Sequence, residues 1–280
     1  MSSLDHILTH LSEKGLTISS TQAVTGGDIN QACQLFTNKG QRYFLKYNPI
    51  SEGSAILSSE AQGLALLRSH ALPAATLILD GSAFAVPFLL LQWIETHPRS
   101  DDKVAEALTQ LHQVSHGQFG LDHDNHIGSL PQPNGWADDF PAFYIQYRIE
   151  PQLRLAHGEG FALRVSLERL ERIITDSFPS EPPALIHGDL WGGNLMDGLQ
   201  GAILIDPSVS FAHREMDLAM MRLFGGFSEE VFRQYDERLP LVSAWKERAD
   251  LLQLYYLLAH VNLFGHSYVG AVQKILHRYL

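Results

Sequence analysis

The chain has 280 residues, 45% of them hydrophobic, and a formal net charge of −11 at pH 7. These values are typical of a globular protein of one large or two modest domains, and the negative charge argues against nucleic acid or an anionic membrane as a partner. The single Cys33 excludes an intrachain disulfide. No signal-peptide pattern and no run of roughly 20 apolar residues is present, so we expect a cytoplasmic protein.

The beginning of the chain predicts a helix followed by strands. Apolar residues at helical spacing indicate an amphipathic helix over residues 2–14. Gly26, Gly27 and Asn30 then lie between two predicted strands, where a glycine pair lets backbone N–H groups approach phosphate oxygens. A plain hairpin turn would have the same sequence, and the carboxylate of Asp28 has the wrong charge for direct contact with phosphate.

Two charged residues of the next elements are predicted to pair. Lys46 lies inside a predicted strand, and Glu60 lies within the buried stripe of a helix predicted over residues 54–70. An unpaired carboxylate on a buried face costs several kcal/mol, so we expect an ion pair between these two side chains. The alternative is a lysine that reaches solvent from an edge strand.

The end of the first domain is placed at residue 95. Residues 77–86 predict two strands around an Asp80–Gly81 turn, and residues 88–95 predict a core strand and its exit. Pro98 then interrupts regular structure. We therefore expect domains over residues 1–95 and 96–280.

A long irregular segment follows a helix predicted from about residue 100 to 115. A loop as long as residues 117–151 within a compact domain is usually functional or disordered. We interpret it as part of an acceptor pocket, whose hydroxyl-binding groups and ring face are supplied by Asn134, Trp136, Asp138 and Asp139. One alternative is a solvated lid. Another is a metal site, although no regular spacing brings its candidate ligands together: Asp122, His123, Asp124 and His126.

After helices predicted over residues 144–155 and 161–178, a polar loop follows a short buried strand. It presents Asp189 and Asn194, and two short strands joined by a tight reversal lead from it to Asp206. If that hairpin closes symmetrically about residue 200, Asn194 lies directly opposite Asp206, close to Asp189. Mg²⁺ prefers such oxygen ligands when phosphates supply the others, and a separate carboxylate must receive the proton of an acceptor hydroxyl.

This spacing resembles the catalytic loop of kinases. His187-x-Asp189-Leu-x-x-x-Asn194 matches the pattern H-R-D-L-x-x-x-N, and Asp206 stands where kinases have a metal-binding Asp. Gly188 replaces the Arg, and Pro-Ser replaces the Phe-Gly after Asp206. These departures favour a small-molecule kinase over a protein kinase. A polar loop in an ordinary α/β domain is the alternative.

The kinase resemblance assigns expected roles to residues elsewhere in the chain. Lys46 with Glu60 would position the phosphates of ATP, and the backbone of Gln92 and Ile94 would bind the adenine edge. Asp217, near the start of a helix that ends at Gly225–Gly226, would hold the catalytic loop through buried hydrogen bonds, together with His187. Otherwise Asp217 would only interact favourably with the helix dipole.

More specific motifs resemble the fructosamine kinase (ketosamine-3-kinase) family, which is related to the aminoglycoside phosphotransferases. The matching stretches are His187-Gly-Asp-Leu-Trp-Gly-Gly-Asn194, Ile205-Asp-Pro207, Arg214-Glu-x-Asp217 through Gly226, Gly26-Gly-Asp-Ile-Asn30, Phe44-Leu-Lys-Tyr-Asn48 and the loop from Phe119 to Trp136. The resemblance implies a two-lobed, protein-kinase-like α+β fold, with a small antiparallel sheet and a helix preceding a larger helical lobe.

The resemblance also implies phosphorylation of the sugar 3-hydroxyl of a ketosamine by ATP and Mg²⁺, which leads to deglycation. Asp189 would then be the catalytic base, Asn194 and Asp206 the metal ligands, and Trp191 a ring that stacks on the sugar-amine.

Three other functions remain open from the sequence. A kinase for aminoglycosides, choline or amino alcohols would share every residue of the ATP site. A non-catalytic nucleotide-binding protein is disfavoured, because the chain has all four of the expected residues, Lys46, Asp189, Asn194 and Asp206. A metal-dependent hydrolase is less compatible, because no clustered His ligands accompany the Asp residues. The sequence also leaves open which ketosamine sugar is bound, and whether the amine is free or part of a protein.

Overall fold

The computed structural model describes residues 2–24, 30–50, 52–163 and 165–280. Over these ranges the chain forms an N-terminal antiparallel sheet of five strands and a mainly helical C-terminal part, which is the predicted α+β architecture. Within the same ranges, no helix has both the length and the apolar character needed to span a membrane. Gly26 and Gly27 lie outside the described residues.

The N-terminal part consists of one sheet with a helix on each face. Its elements in chain order are α1 Ser3–Glu13, β1 Ile18–Ala23, β2 Gln31–Thr37, β3 Arg42–Tyr47, α2 Gly53–Ser69, β4 Leu77–Gly81 and β5 Phe88–Gln92. The spatial order of the strands is β1-β2-β3-β5-β4. Because successive side chains of a strand point to opposite faces, Leu45 packs with Ile7 and Leu11 of α1, whereas Lys46 points to the side of α2.

One strand predicted in this sheet is absent. Residues 82–86 form a turn instead of the second strand of a hairpin, and β4 pairs with β5. The turn is held by the Ser82 N–H, which donates to Oδ1 of Asp80 at 2.8 Å, and by the Phe84 N–H, which donates to the Gly81 carbonyl at 2.9 Å.

The C-terminal part is built mainly from helices. They are α3 Asp101–Gln113, α4 Phe140–Tyr144, α5 Glu150–Gly158, α6 Leu167–Ser177, α7 Glu215–Phe224, α8 Glu229–Arg238, α9 Trp245–Phe264 and α10 Val269–Tyr279, with a π-helical turn at Ile145–Ile149 and a 3₁₀ turn at Gly265–Tyr268. The prediction of a helix from residue 161 was wrong, because the Ser166 side chain accepts from the Arg169 N–H and α6 begins at Leu167.

Three short antiparallel ladders position the loops of this part. They are β6 Asn125–Ile127 with β7 Leu130–Gln132, β8 Ala184–Ile186 with β11 Ser210–Ala212, and β9 Leu195–Gly198 with β10 Gly201–Leu204. The segment after α2 pairs with β10, because the Ala75 N–H donates to the Leu204 carbonyl at 2.9 Å. An apolar core that includes Leu64 and Leu91 continues into α3 and α8. This core therefore contains residues from both sides of position 95. The division into domains at residue 95 stays a prediction.

A buried histidine lies within the helical core. The ring of His213 lies 5.2 Å from that of Phe140 and 5.4 Å from that of Phe178, measured between ring centroids. Its Nδ1 accepts from the Glu215 N–H at 3.3 Å. Burial lowers the pKa of His213 to about 4, so the folded protein holds this ring neutral.

We expect His213 to make the protein less stable in acid. Below about pH 6.5 the unfolded chain binds a proton at this ring, whereas the folded protein does so only near pH 4. Stability is therefore lost as the pH falls from 6.5 towards 4, by about 2 kcal/mol between pH 7.5 and pH 5. Urea unfolding of wild type and His213→Phe at both pH values measures this loss, and the variant should lose correspondingly less. Equal losses in the two proteins would contradict the assignment.

Candidate active site

A buried carboxylate holds the start of the loop that follows β8. Both oxygens of Asp217, on the first turn of α7, accept backbone hydrogen bonds: from the His187 N–H at 2.7 Å and from the Gly188 N–H at 2.9 Å. His112 of α3 lies 3.2 Å from the same carboxylate through its Nε2. Because the carboxylate is fully buried and accepts both N–H groups, it fixes the path of the loop.

The ring of His187 connects this loop to the strand that precedes Asp206. Its Nε2 donates to the Ile205 carbonyl at 2.8 Å, and its Nδ1 accepts from the Asp189 N–H at 3.3 Å. Burial lowers the pKa of His187, which favours the neutral ring that both bonds require. The contacts predicted for His187 and Asp217 as supports of the loop are therefore present.

Gly188 is required by a close approach of two backbone segments. Its φ is +81°, and a Cβ at this position would collide with the carbonyl oxygen of Ser208. The same segments are joined by the Ser208 N–H, which donates to the His187 carbonyl at 2.8 Å. An arginine, as in the protein-kinase motif, would not fit here without a shift of the backbone.

The register of the β9–β10 hairpin differs from the prediction by one residue. Leu195 pairs with Leu204, and the Ile205 N–H donates to the Asn194 carbonyl at 3.1 Å. Asn194 therefore lies opposite Ile205 rather than Asp206, because the turn contains only residues 199 and 200. Asp206 follows with a φ of +53°, which is unfavourable for a residue with a Cβ.

Lys46 and Glu60 form the predicted ion pair, and Asp206 joins it. Nζ of Lys46 lies 3.0 and 2.9 Å from the two carboxylate oxygens of Glu60 and 2.5 Å from Oδ1 of Asp206. Burial alone would lower the pKa of Lys46, but the charges of the two carboxylates raise it above its usual range. Lys46 therefore stays protonated and connects β3, α2 and the segment after β10.

Asp189 and Asn194 are in direct contact within the loop. Nδ2 of Asn194 donates to Oδ2 of Asp189 at 3.0 Å and to the Asp189 carbonyl at 2.8 Å. Burial, together with the charge of Asp206, raises the pKa of Asp189 to about 7. Because the NH₂ of Asn194 is directed at Asp189, its Oδ1 is the atom of this amide that can bind a cation.

The charges of the site fit a divalent cation. Glu60 and Asp206 share the ammonium of Lys46, and the charge of Asp206 also acts on Asp189, so the three carboxylates leave an excess of negative charge when all are ionised. The carboxylate of Asp206 and the amide oxygen of Asn194 are the hard oxygen ligands that Mg²⁺ prefers. Among the described residues, no group of three or more His, Cys, Asp or Glu could hold a metal ion, so the protein would supply only part of a coordination shell.

Some polar groups of the residues proposed for adenine and phosphate are already hydrogen-bonded within the protein. The Gln92 N–H donates to the Thr76 carbonyl at 2.9 Å, which leaves the Gln92 carbonyl as its candidate adenine contact. Ile94 follows the end of β5 and is half-buried. Oδ1 of Asn30 accepts from Nδ2 of Asn48 at 2.9 Å, so the amide nitrogen is the side-chain group of Asn30 that remains proposed for phosphate.

The acceptor residues predicted in the long loop are largely engaged within the protein. Asn134 donates through Nδ2 to Oδ1 of Asn125 at 2.9 Å and accepts through Oδ1 from Nη2 of Arg148 at 2.9 Å. Trp136 stacks on His116, with 4.3 Å between ring centroids. Asp139 caps α4, and Asp138 accepts from Gln118 at 2.9 Å. These side chains therefore stabilise the loop through contacts within the protein, and the contacts do not define a cavity for an acceptor.

Trp191 is the exposed aromatic residue of the catalytic loop. Its side chain is 44% exposed, and its indole lies over Gly193, where a Cβ would collide with the ring. The next residue, Gly192, packs against Gly226, and its N–H donates to the Gly225 carbonyl at 3.2 Å. The glycine pair after α7 thus supports the loop that presents Trp191.

Two further polar side chains near this loop were not predicted to support it. His112 is buried between Asp217 and the Tyr235 hydroxyl, which lies 2.8 Å from its Nδ1. Arg99 binds the Asp197 carboxylate through Nε at 2.9 Å and also donates to the Gly226 carbonyl. The helical spacing of His112 with Leu108 and Leu111 was the available signal for its burial.

Replacing Gly188 by alanine should destabilise the protein much more than the same change at Gly160. Both glycines have a positive φ, +81° and +86°, but Gly160 has open space around its Cβ position. Gly160→Ala should cost about 1–2 kcal/mol from backbone conformation alone. Gly188→Ala adds the collision with the Ser208 carbonyl and should cost at least about 3 kcal/mol, or leave the protein unfolded. Chemical unfolding measures both, and equal losses would show that the loop can move away from Ser208.

Comparisons with known proteins point to one family. The family described as Fructosamine kinase matches residues 1–280. A protein of Lactiplantibacillus plantarum named "Probable ketoamine kinase" is 39% identical over 283 residues, which cover 97% of this chain and 98% of that protein. The mouse protein named Ketosamine-3-kinase is 30% identical over 297 residues, covering 93% and 94% of the two chains.

Solved structures show the same architecture. The crystal structure of a Haemophilus somnus protein named "Putative fructosamine-3-kinase" has a TM-score of 0.85 and 27% identity, with 98% of this chain and 96% of that chain covered. The aminoglycoside phosphotransferase APH(4)-Ia, solved with ADP and hygromycin B, has a TM-score of 0.63 and 16% identity over 99% and 98% of the chains, and so shares the fold. By its full-length match, this chain belongs to the fructosamine kinase family.

Proposed function

We propose that this protein is an ATP-dependent kinase that phosphorylates the sugar 3-hydroxyl of ketosamines, the fructosamine or ribulosamine adducts of amines. The observation that carries the proposal is the cluster in which the Lys46 ammonium lies between Glu60 and Asp206, with Asp206 close in sequence to the paired Asp189 and Asn194. A non-catalytic nucleotide-binding protein would have no need for a further carboxylate, that of Asp189, held in place by an amide of the same loop.

Each residue of the site has a separate proposed role in phosphoryl transfer. Lys46, oriented by Glu60, would bind the phosphates of ATP, and the backbone of Gln92 and Ile94 would bind the adenine. Asp189 would accept the proton of the acceptor hydroxyl, and its contact with Asn194 fixes the direction of its carboxylate. Positioning and charge neutralisation then supply most of the rate enhancement.

A divalent cation fits the remaining ligands. Asp206 and Oδ1 of Asn194 would hold Mg²⁺, which when bound neutralises charge on the phosphate oxygens. The φ of +53° at Asp206 is consistent with a backbone held in an unfavourable conformation for this purpose. Gly26, Gly27 and Asn30 are proposed to complete the phosphate site.

The acceptor would bind beside the catalytic loop. Trp191 offers an exposed ring face next to Asp189 and is our first candidate for stacking on the sugar-amine. Asn134 and Trp136 were predicted for the same purpose, but their side chains are engaged within the loop. A 3-phosphate of this kind is unstable and releases the sugar, so the proposed role is deglycation in the cytoplasm. We propose residues 1–95 as the nucleotide-binding lobe and residues 96–280 as the catalytic and acceptor-binding lobe.

Replacing Asp189 by alanine should abolish turnover and leave nucleotide binding intact. The loss of a positioned base removes about 10²–10⁴-fold of the rate, whereas the contacts of Lys46 with Glu60 and Asp206 do not involve Asp189. The assay is phosphorylation of fructosyl-lysine and ribulosyl-lysine by ATP, with isothermal titration for ADP binding. Loss of nucleotide binding in the variant would show that Asp189 has a structural role.

The same assay with a panel of acceptors tests the substrate class. Wild-type protein should phosphorylate the ketosamines and should leave choline and aminoglycosides unmodified. Turnover of one of these other acceptors, without turnover of either ketosamine, would replace the proposed function by that of a related small-molecule kinase.

Removing the amide oxygen of Asn194 should weaken the metal site. We expect Asn194→Ala to raise the Mg²⁺ concentration for half-maximal activity about tenfold, because one of two protein ligands is lost. Titration of Mn²⁺ followed by electron paramagnetic resonance, in the presence of ADP, measures the affinity independently of turnover. An unchanged affinity for Mn²⁺ in the variant would exclude Asn194 as a ligand.

A further inference from the structure

We propose that His126 and Ser59 are positioning residues, which clamp helix α2 to the segment after Asp206 and thereby fix the Lys46–Glu60 pair. The inference rests on the proposed function only in taking this pair as part of the nucleotide site. It gives the β6–β7 hairpin a role other than the acceptor pocket or the metal site considered from the sequence.

The contact between the hairpin and α2 is a side-chain hydrogen bond of defined direction. Nδ1 of His126 lies 2.8 Å from Oγ of Ser59, the residue that precedes Glu60. The hydroxyl of Ser59 donates its own proton to the Ala55 carbonyl at 2.9 Å. Oγ can therefore only accept from His126, and His126 carries its proton on Nδ1.

The same histidine binds the segment that carries Asp206. Its backbone carbonyl accepts from Oγ of Ser208 at 2.5 Å, and the Ser208 N–H donates to the His187 carbonyl at 2.8 Å. One continuous series of hydrogen bonds thus runs from α2 through the hairpin to the segment after Asp206 and the start of the catalytic loop.

Buried amides hold the hairpin against that segment. Nδ2 of Asn125 donates to the Val209 carbonyl at 2.9 Å, and Nε2 of Gln132 donates to Oδ1 of Asn125 at 2.7 Å. On the other side, the fully buried Arg148 donates to Oδ1 of Asn134 at 2.9 Å and to the Pro133 carbonyl at 3.1 Å. The hairpin is therefore anchored in the helical core, so it can restrain α2.

Helix α2 also touches the segment directly, at a residue without a side chain. A Cβ at Gly63 would lie 3.0 Å from Cγ of Pro207, so the helix and the residue after Asp206 are in close packing. Glu60 lies between the contacts of Ser59 and Gly63 on the same helix. A displacement of α2 at either contact would move the Glu60 carboxylate relative to Lys46.

The test compares variants that remove or keep the donor of His126. His126→Leu and Ser59→Ala should each lower kcat/KM for ATP and raise the Kd for ADP roughly fivefold, the effect of one lost hydrogen bond. His126→Asn should restore most of both values, because its amide nitrogen takes the place of Nδ1. The double variant should lose no more than either single one.

Ser69→Ala is the matched control, because this hydroxyl also bonds a carbonyl of α2, that of Leu66, at 2.7 Å. It should leave kcat/KM and the Kd for ADP unchanged. Losses of thermal stability without a change in either value, or losses that add in the double variant, would overturn the inference. If wild type phosphorylates no ketosamine, the proposed function fails, and the Kd for ADP still decides whether the clamp exists.

Discussion

The ammonium of Lys46 is shared between two carboxylates that come from different parts of the fold. Glu60 belongs to the helix on the sheet, whereas Asp206 follows a hairpin of the helical part. An unpaired buried charge is so unfavourable that the sheet, α2 and the segment after β10 must stay within hydrogen-bonding distance of one another. The Lys46 ammonium therefore sets the relative placement of these three elements. The surrounding polar contacts hold them within hydrogen-bonding distance of it.

Those contacts come from different elements, but each is a hydrogen bond between a buried side chain and the backbone. Asp217 fixes the beginning of the catalytic loop through two backbone N–H groups, and His187 fixes the end of β10 through the Ile205 carbonyl. In both cases a buried side chain satisfies backbone groups that no strand or helix can satisfy. Such contacts restrict the loop more tightly than apolar packing does, because a hydrogen bond tolerates only a narrow range of distances and angles.

The sequence predicted the parts of this site that follow from burial and periodicity. A carboxylate on the buried stripe of α2 required a partner, and Lys46, inside a predicted strand, was the residue proposed for it. The register of the β9–β10 hairpin was missed by one residue, because the length of a tight turn depends on backbone geometry that its residue types do not specify. The contacts of the Asn134 amide with Asn125 and Arg148 could not be predicted either. The composition of a long polar loop is the same whether its side chains face solvent or form hydrogen bonds within the protein. Only the structure therefore distinguishes a ligand pocket from a loop held by internal hydrogen bonds.

The catalytic loop and the glycine pair after α7 lie far apart in the sequence but pack directly against each other. The loop can pass under Ser208 only because Gly188 has no side chain, and it can lie against the end of α7 only because Gly192 meets Gly226 without one. A Cβ at either end of the second contact would separate the loop from its support and change the direction of Trp191. Gly192 of the loop and Gly226 after α7 therefore depend on each other for this contact. The departure of Gly188 from the protein-kinase pattern has the same origin, since it follows from backbone contact and not from the chemistry of the reaction.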